Sequence, residues 1–581
     1  GQSLAQDGDL TYRKEDLVRV WREFPTGPSG VFLKKGQVVT GVSLGWRPPF
    51  LRLTGKPDPD PDRLFFGKSF IYPAVAAPFV KVFGTNGFLV LHAILLSLVV
   101  LCAYLFLHAR AQPTPSALLA AGFVVASVVP VYFVWITAEL FNFALVFLAY
   151  FCWLYKEVAV RERSPRGTGW LFCGRSDVVA AALLGIATFS KPSNAIMFLP
   201  IPIWGLVGRK VRRAPLVSTI VFLLVTGGLF GINVAISGDW NYQGGARDTY
   251  YDEFPFQTAT PTHPLGLTRS REGMLTGIVF SRRVFASNLR HNLEYFFVGR
   301  YAGLLPYFFP GAFAMIALLI APRRRPAWQW IALGAALAQG LLFVVATPYT
   351  WNGGGVGNRY FMSAYGAMLF AMPPIDSIAA AFVPWVLGGL FVAPMVLNPF
   401  VASYRPGSNA KSGPLRLLPV ELTLVNDLPV NTESDRAHIW YGDLGKGDPG
   451  FLVYFLDDNA YGREADRSFW TRGRSRAEFI IKTDRPIRRA IFNVSAGPVP
   501  DDVSIRIGGR EQEFHLDAGQ TQEIAIMMPA GVPYEKETHA LVWTASVACR
   551  NGFTPIFFDP ASTDVRYLGV RVKPMLEVQP Q

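Results

Sequence analysis

Several residues able to do acid–base or phosphate chemistry sit beside long apolar runs. Asp7 and Asp9 flank a glycine in QSLAQDGDL, Lys68 and Tyr72 lie in GKSFIYPAVAAPF, Glu139 interrupts WITAELFNF, and Lys191 and Asn194 lie in FSKPSNA. Further on come Asn241, Tyr242 and Arg247 in DWNYQGGAR, Arg300 in VGRY, and Asn358 with Arg359 in GGGVGNRYF. Carboxylates take up protons or hold divalent cations, whereas a guanidinium fork beside glycine-rich backbone amides suits phosphate. Each residue also has a plainer reading. DGD suits a solvated turn. Glu139 can mark the outer hairpin between two apolar segments, Lys191 can snorkel towards headgroups, and Arg359, like Lys68 and Arg300, can anchor a lipid phosphate.

Other chemistries find little support. The sequence offers neither an HxxxH pair nor paired cysteine spacing for zinc, and neither a P-loop nor a GxGxxG turn for nucleotides. A divalent metal on Asp7 and Asp9 through oxygen ligands stays open. The four cysteines fall apart from one another, and only Cys549 is expected on the outside, so no outward-facing pair forms a crosslink.

The elements that must position these groups are membrane helices. The chain has 581 residues, 51% hydrophobic and 17% charged, with mean hydropathy +0.26. Runs such as GFLVLHAILLSLVVLCAYLF are long enough to cross a hydrocarbon core of about 30 Å. Spans are expected near 87–110, 115–137, 138–158, 177–191, 194–208, 214–236, 304–321, 327–346, 359–373 and 376–398. The net charge of +13 is a topology signal, not a nucleic-acid one. Basic clusters fall in short loops: Lys156, Arg161, Arg163, Arg166 and Arg175; then Arg209, Lys210, Arg212 and Arg213; then Arg323, Arg324 and Arg325. Placing all three clusters in the cytoplasm puts residues 1–86, the loop 237–303, the turn 347–358 and everything after about 400 outside. The chemistry-bearing residues above then gather on the outer face.

Three domains follow: residues 1–86, an external loop ending in an interfacial helix; 87–400, the multi-span domain with its external loop 237–303; and 401–581, a β-sandwich. The last rests on short alternating runs such as AEFIIKT, IRRAIFNVSAG and TQEIAIMM, split by Gly, Pro and Asp. The end of the 237–303 loop reads as a helix lying on the membrane. The fold class is thus a polytopic α-helical membrane protein with a C-terminal extracytoplasmic β-sandwich.

Taken in order, QSLAQDGDL, GKSFIYPAVAAPFVKVFGTNG, ITAELFNFALVFLAYF, GIATFSKPSNAIMFLP and GNRYFMSAYGAMLFAMPP resemble the GT-C superfamily of polytopic glycosyltransferases. The likeness is to the protein O-mannosyltransferase and lipid A aminoarabinose transferase type, over roughly residues 1 to 375. It implies inverting transfer of a sugar from a polyprenyl-phosphate donor to an extracytoplasmic glycan, lipid or protein. Lys68 and Arg359 would hold the carrier phosphate, helped by Tyr72, Lys191, Arg300 and Asn358. Glu139, Asn194, Asn241, Tyr242 and Arg247 would line the pocket or acceptor groove. In such enzymes a first span leads into the acidic pair, so the resemblance also implies a span and catalytic acid upstream of Gly1. Asp9 is the base if nothing precedes it, and Asp7 and Asp9 are otherwise supporting groups. The strand-rich tail, with DVRYLGV, resembles carbohydrate-binding jelly-roll modules. Two rival readings are a flippase for lipid-linked glycans and an inert membrane scaffold presenting that domain.

Overall fold

The computed structural model describes the chain apart from residues 24–28, 47–50, 61–62, 162–166, 208–212, 241, 243–246, 252–281, 321, 430–437, 442–449, 463, 535–539 and 580–581. It forms two compact units, one of residues 1–277, 309–341 and 361–387, the other of residues 278–308, 342–360 and 388–581.

In the first unit the helices are α1 (Gln2–Gln6), α2 (Lys14–Glu23), α3 (Ile71–Phe83), α4 (Gly87–His108), α5 (Pro113–Val125), α6 (Val129–Val134), α7 (Ala138–Val158), α8 (Gly174–Ser190), α9 (Pro200–Val207) and α10 (Arg213–Ser237). Phe309–Ile320 and Met362–Met368 add to them. A helix satisfies its own backbone, which is why uncharged runs adopt it where lipid offers no partner. Five helical stretches among the described residues are long and apolar enough to cross a membrane: Ile71–His108, Ala138–Val158, Pro215–Ser237, Ala327–Ala346 and Ile378–Leu397. The chain is an integral membrane protein.

The first of these stretches is two helices. Gly84 takes φ +60° after α3, and a Cβ at Gly87 would stand 2.3 Å from the Phe79 backbone, so α4 starts tight against α3. The 22 residues of α4 alone span about 33 Å at 1.5 Å per residue.

Several expected spans are interrupted. That of 115–137 divides into α5 and α6 where the Ser127 hydroxyl turns back to the carbonyls of Phe123 and Val124 at 3.2 and 2.9 Å, just before Pro130. That of 194–208 opens as a 3-10 turn, Pro192–Phe198, and only then becomes α9. That of 359–373 shortens to Met362–Met368 and a 3-10 turn, Leu369–Ala371.

Residues 1–70, expected as loop, also carry strands. β1 (Thr11–Tyr12), β2 (Ser29–Lys35), β5 (Leu64–Phe66) and β6 (Arg247–Tyr251) form a sheet in the order β1-β5-β2-β6, and β3 (Gln37–Leu44) pairs β4 (Leu51–Pro57). A small core of Tyr12, Leu17, Leu33 and Leu64 holds the sheet to α2.

The second unit contains the helix Arg282–Val298, as expected for the end of the long loop, and the β-sandwich. One sheet runs β13-β12-β16-β10-β8-β7, with β15 on β16; the other runs β14-β11-β17-β9, and every pairing is antiparallel. Their ranges are β7 His438–Tyr441, β8 Phe451–Phe455, β9 Phe469–Arg472, β10 Arg476–Thr483, β11 Ile487–Ser495, β12 Asp501–Ile507, β13 Arg510–Leu516, β14 Thr521–Met527, β15 Val532–Tyr534, β16 Ala540–Cys549 and β17 Leu568–Val578. Inward residues of both sheets, among them Phe479, Val547, Phe492 and Val572, share one core.

Candidate functional site

A cavity of about 640 Å³, open mouth included, lies in the first unit between the QSLAQDGDL segment, the start of α3 and the end of α10. Phe65, Phe66, Phe70, Pro73, Leu4 and Ile236 form an apolar wall, and Asp9, Lys68, Ser3, Asn233 and Ser237 bring polar groups to it. An acid, a cation and a greasy wall in one cavity match an amphiphile with an anionic head.

The acidic pair diverges. Gly8 at φ +72° turns the chain between Asp7 and Asp9. Asp7 pairs with Arg19, while Asp9 accepts the Thr11 amide at 3.2 Å and pairs with the exposed Arg13 at 3.3 Å. The buried Asp16 fixes this segment: it accepts the Ser3 hydroxyl at 2.6 Å, the Arg13 amide at 2.9 Å and Arg19 at 2.9 Å. With each carboxylate of DGD on its own arginine, the metal reading finds no ligand set among the described residues. Lys68 is exposed at the cavity, its ammonium 4.5 Å from the Phe32 ring centroid.

Tyr72 lies apart from the cavity lining. Its hydroxyl meets His92 Nε2 at 2.8 Å, and His92 Nδ1 meets the Phe133 carbonyl at 2.8 Å, which ties α3 to α4. Sequence reasoning missed Ser3, Asn233 and Ser237, as well as the ion pair of the buried Lys34 with Asp239 at 2.9 Å. The signal for Asp239 was there, a carboxylate two residues past the apolar run of α10. The Asn233 amide donates to the Asp239 carbonyl at 2.6 Å, so this turn sits against the cavity wall.

Glu139 and Lys191 come together as an ion pair at 3.8 Å, both largely buried, instead of lining the cavity. One helical turn deeper, Asn142 and Asn194 repeat the pairing at 3.1 Å. Gln339 donates to Asn194 Oδ1 at 2.7 Å, and Asn142 donates to Ser190 at 3.0 Å. Asn194 is therefore a buried strut and not a wall of the cavity. Replacing it with alanine strands the amides of Asn142 and Gln339, and thermal unfolding is expected to show a loss of about 1–3 kcal/mol. Tyr242 is also buried, its hydroxyl donating to the carbonyls of Phe189 and Ser190 at 2.6 and 3.1 Å. Asn241 lies outside the described residues, and Arg247 is placed by its backbone alone, opposite Lys34 in the β2–β6 pairing.

In the second unit Arg300 departs from its expected role at the carrier phosphate. Its guanidinium binds Glu478 at 2.9 Å, the Leu418 carbonyl at 3.1 Å and the Arg416 carbonyl at 2.6 Å, so its donors serve the base of the sandwich. Beside it, the fully buried Glu421 accepts the amides of Tyr301 and Ala302 at 2.7 and 2.8 Å. Burial pushes this carboxyl up from the ordinary 4.5 to about 7, against the pull of those amides and of Arg300. The folded state thus keeps the proton to higher pH than the unfolded chain. The stabilisation is full below about pH 4.5 and disappears as pH rises through about 7, amounting to roughly 3 kcal/mol. Thermal unfolding is expected to drop between pH 5 and 8, and Glu421→Gln to remove most of that drop.

Asn358 and Arg359 follow a closed turn. Trp351 and Asn352 are buried, the Asn352 side chain accepts the Gly354 amide at 3.0 Å, and the Asn352 carbonyl accepts the Arg359 amide at 3.0 Å. Gly353 takes φ +75°, and a Cβ there would stand 2.9 Å from Arg359 Nε. Asn358 is buried, and the Arg359 guanidinium lies 5.6 Å from the Tyr360 ring centroid.

Residues 67–237 match the family model described as dolichyl-phosphate-mannose-protein mannosyltransferase. That stretch holds Lys68, Tyr72, Glu139, Lys191 and Asn194, and it bears out the GT-C resemblance of the sequence. No curated protein matches the chain. Among solved structures, the arabinosyltransferase EmbB of Mycobacterium smegmatis aligns over 88% of this chain and 59% of its own, at 12% identity and TM-score 0.29. The chain thus spans about three-fifths of that enzyme's length. A carbohydrate-binding module, TmCBM61, solved with beta-1,4-galactotriose, aligns over 24% of this chain and 92% of its own, at 10% identity and TM-score 0.14.

Proposed function

We propose that this chain, a membrane protein whose residues 67–237 are of the GT-C mannosyltransferase type, transfers a sugar from a polyprenyl phosphate to an acceptor hydroxyl on the outer side of the membrane. One observation supports it above the others: Asp9 and Lys68 share a cavity with an apolar wall that includes Phe65, Phe66 and Phe70. In this reading the isoprenoid lies along Phe65, Phe66 and Phe70, and Lys68 meets the phosphate. The Asp9 carboxylate takes the proton of the acceptor hydroxyl as its oxygen attacks the anomeric carbon. The bond from that carbon to the phosphate oxygen breaks, configuration inverts, and polyprenyl phosphate leaves with its charge held by Lys68.

Flipping a lipid-linked glycan would call for a polar path through the bilayer. The buried amides Asn142, Asn194 and Gln339 instead bond to one another. The test is transfer itself: the purified chain with radiolabelled polyprenyl-phosphate sugars and membrane acceptors. Label is expected to pass to the acceptor in one round, and retention of all label on the donor with every sugar and acceptor class tried overturns the reading.

A further inference from the structure

The sandwich carries a second cleft, of about 580 Å³ with its open space, on the outer face of the larger sheet. Its floor is hydroxyl-bearing and small, Ser546 and Thr544 of β16, with Gly508 and Gly509 at the adjacent hairpin. Register sets the charged groups in one row. Glu478 of β10 lies opposite Ser546, Ser546 opposite Arg506 of β12, and Arg506 opposite Glu511 of β13. Arg476, two residues from Glu478, points to the same face, since successive strand residues alternate.

The charged groups are unequally committed. Glu478 is taken by Arg300 at 2.9 Å and Arg416 at 3.4 Å, and Arg416 also binds the buried Asp457 at 2.7 Å. Arg476 and Arg506 share the single carboxylate of Glu511, at 3.6 and 3.5 Å. Among the described residues Arg476 and Arg506 thus divide one carboxylate between them, a single contact each, so both partly exposed forks keep N–H donors for a further oxyanion, while Glu513 of β13 stands on the same face opposite Ser504. Planar guanidiniums bind carboxylate or phosphate bidentately, while serine and threonine hydroxyls take sugar hydroxyls.

We infer that this cleft binds a saccharide bearing an oxyanion, carboxylate or phosphate, with Arg476 and Arg506 as its anchors. None of the residues lining this cleft lines the transfer cavity, so its test needs no turnover. Calorimetry on the whole chain in nanodiscs would compare trigalacturonate, a mannotriose 6-phosphate and neutral β-1,4-galactotriose. At least one charged probe is expected to bind about tenfold or more tighter than the neutral one, and to weaken with salt. Whichever charged probe binds tighter identifies the oxyanion. The Arg476→Ala/Arg506→Ala double variant is expected to lose about tenfold or more. Glu511→Gln frees both guanidiniums and is expected to bind severalfold tighter, an outcome that damage to the fold would not give. Equal affinity for neutral and charged probes, no binding of either charged probe at millimolar concentration, unchanged binding in the double variant, or loss in Glu511→Gln overturns the assignment.

Discussion

Asp9→Asn is expected to slow sugar transfer by about 10²–10⁴-fold, the range for removing a positioned general base. The substitution is nearly isosteric, and the asparagine oxygen still accepts the Thr11 amide that Asp9 accepts at 3.2 Å. Donor binding, measured by retention of labelled polyprenyl-phosphate sugar, should therefore stay near normal while turnover falls. Arg13→Ala is the matching control. Its ion pair with Asp9 is solvent-exposed, and pairs of that kind contribute about 0–1 kcal/mol. Full turnover in Asp9→Asn would move the base to another residue, leaving the cavity as a binding site only.

The second large effect is at Lys68. Negative charge builds on the bridging phosphate oxygen as the sugar departs, so a cation there acts most in the transition state, and its loss is expected to cost about 10²–10³ in kcat. Donor KM should rise as well, because the ammonium also meets the ground-state phosphate. Lys68→Arg keeps the charge on a wider fork and should recover part of the rate, whereas Lys68→Met, which keeps the apolar stem, should not. A purely structural lysine would show the reverse pattern, with methionine tolerated.

Legibility from sequence followed the physics of each element. α4, α7 and α10 each contain a long uncharged run, and a run of that kind satisfies its backbone in lipid as a helix. The broken spans were harder, because the break in 115–137 depends on one serine hydroxyl bonding back to its own helix. The strands of residues 1–70 hid because, among the described residues, their core is four buried side chains, too few to impose a long alternating pattern. Charges beside apolar runs were visible, but their partners were not. Nothing local in FSKPSNA says that Lys191 and Asn194 meet Glu139 and Asn142, or in VGRY that Arg300 closes on Glu478 across 178 positions. Asp9 and Lys68 emerged as a pair only when the chain folded Ser3, Phe70 and Asn233 around them.

The most direct measurement is a cryo-electron-microscopy map of the whole chain in nanodiscs with polyprenyl phosphate bound. The account predicts phosphate density within ion-pairing distance of Lys68 Nζ, the first isoprene units running along Phe65, Phe66 and Phe70, and the carboxylate of Asp9 facing the same space. Phosphate density at another site, with this cavity left to solvent or to an ordinary acyl chain, would contradict it.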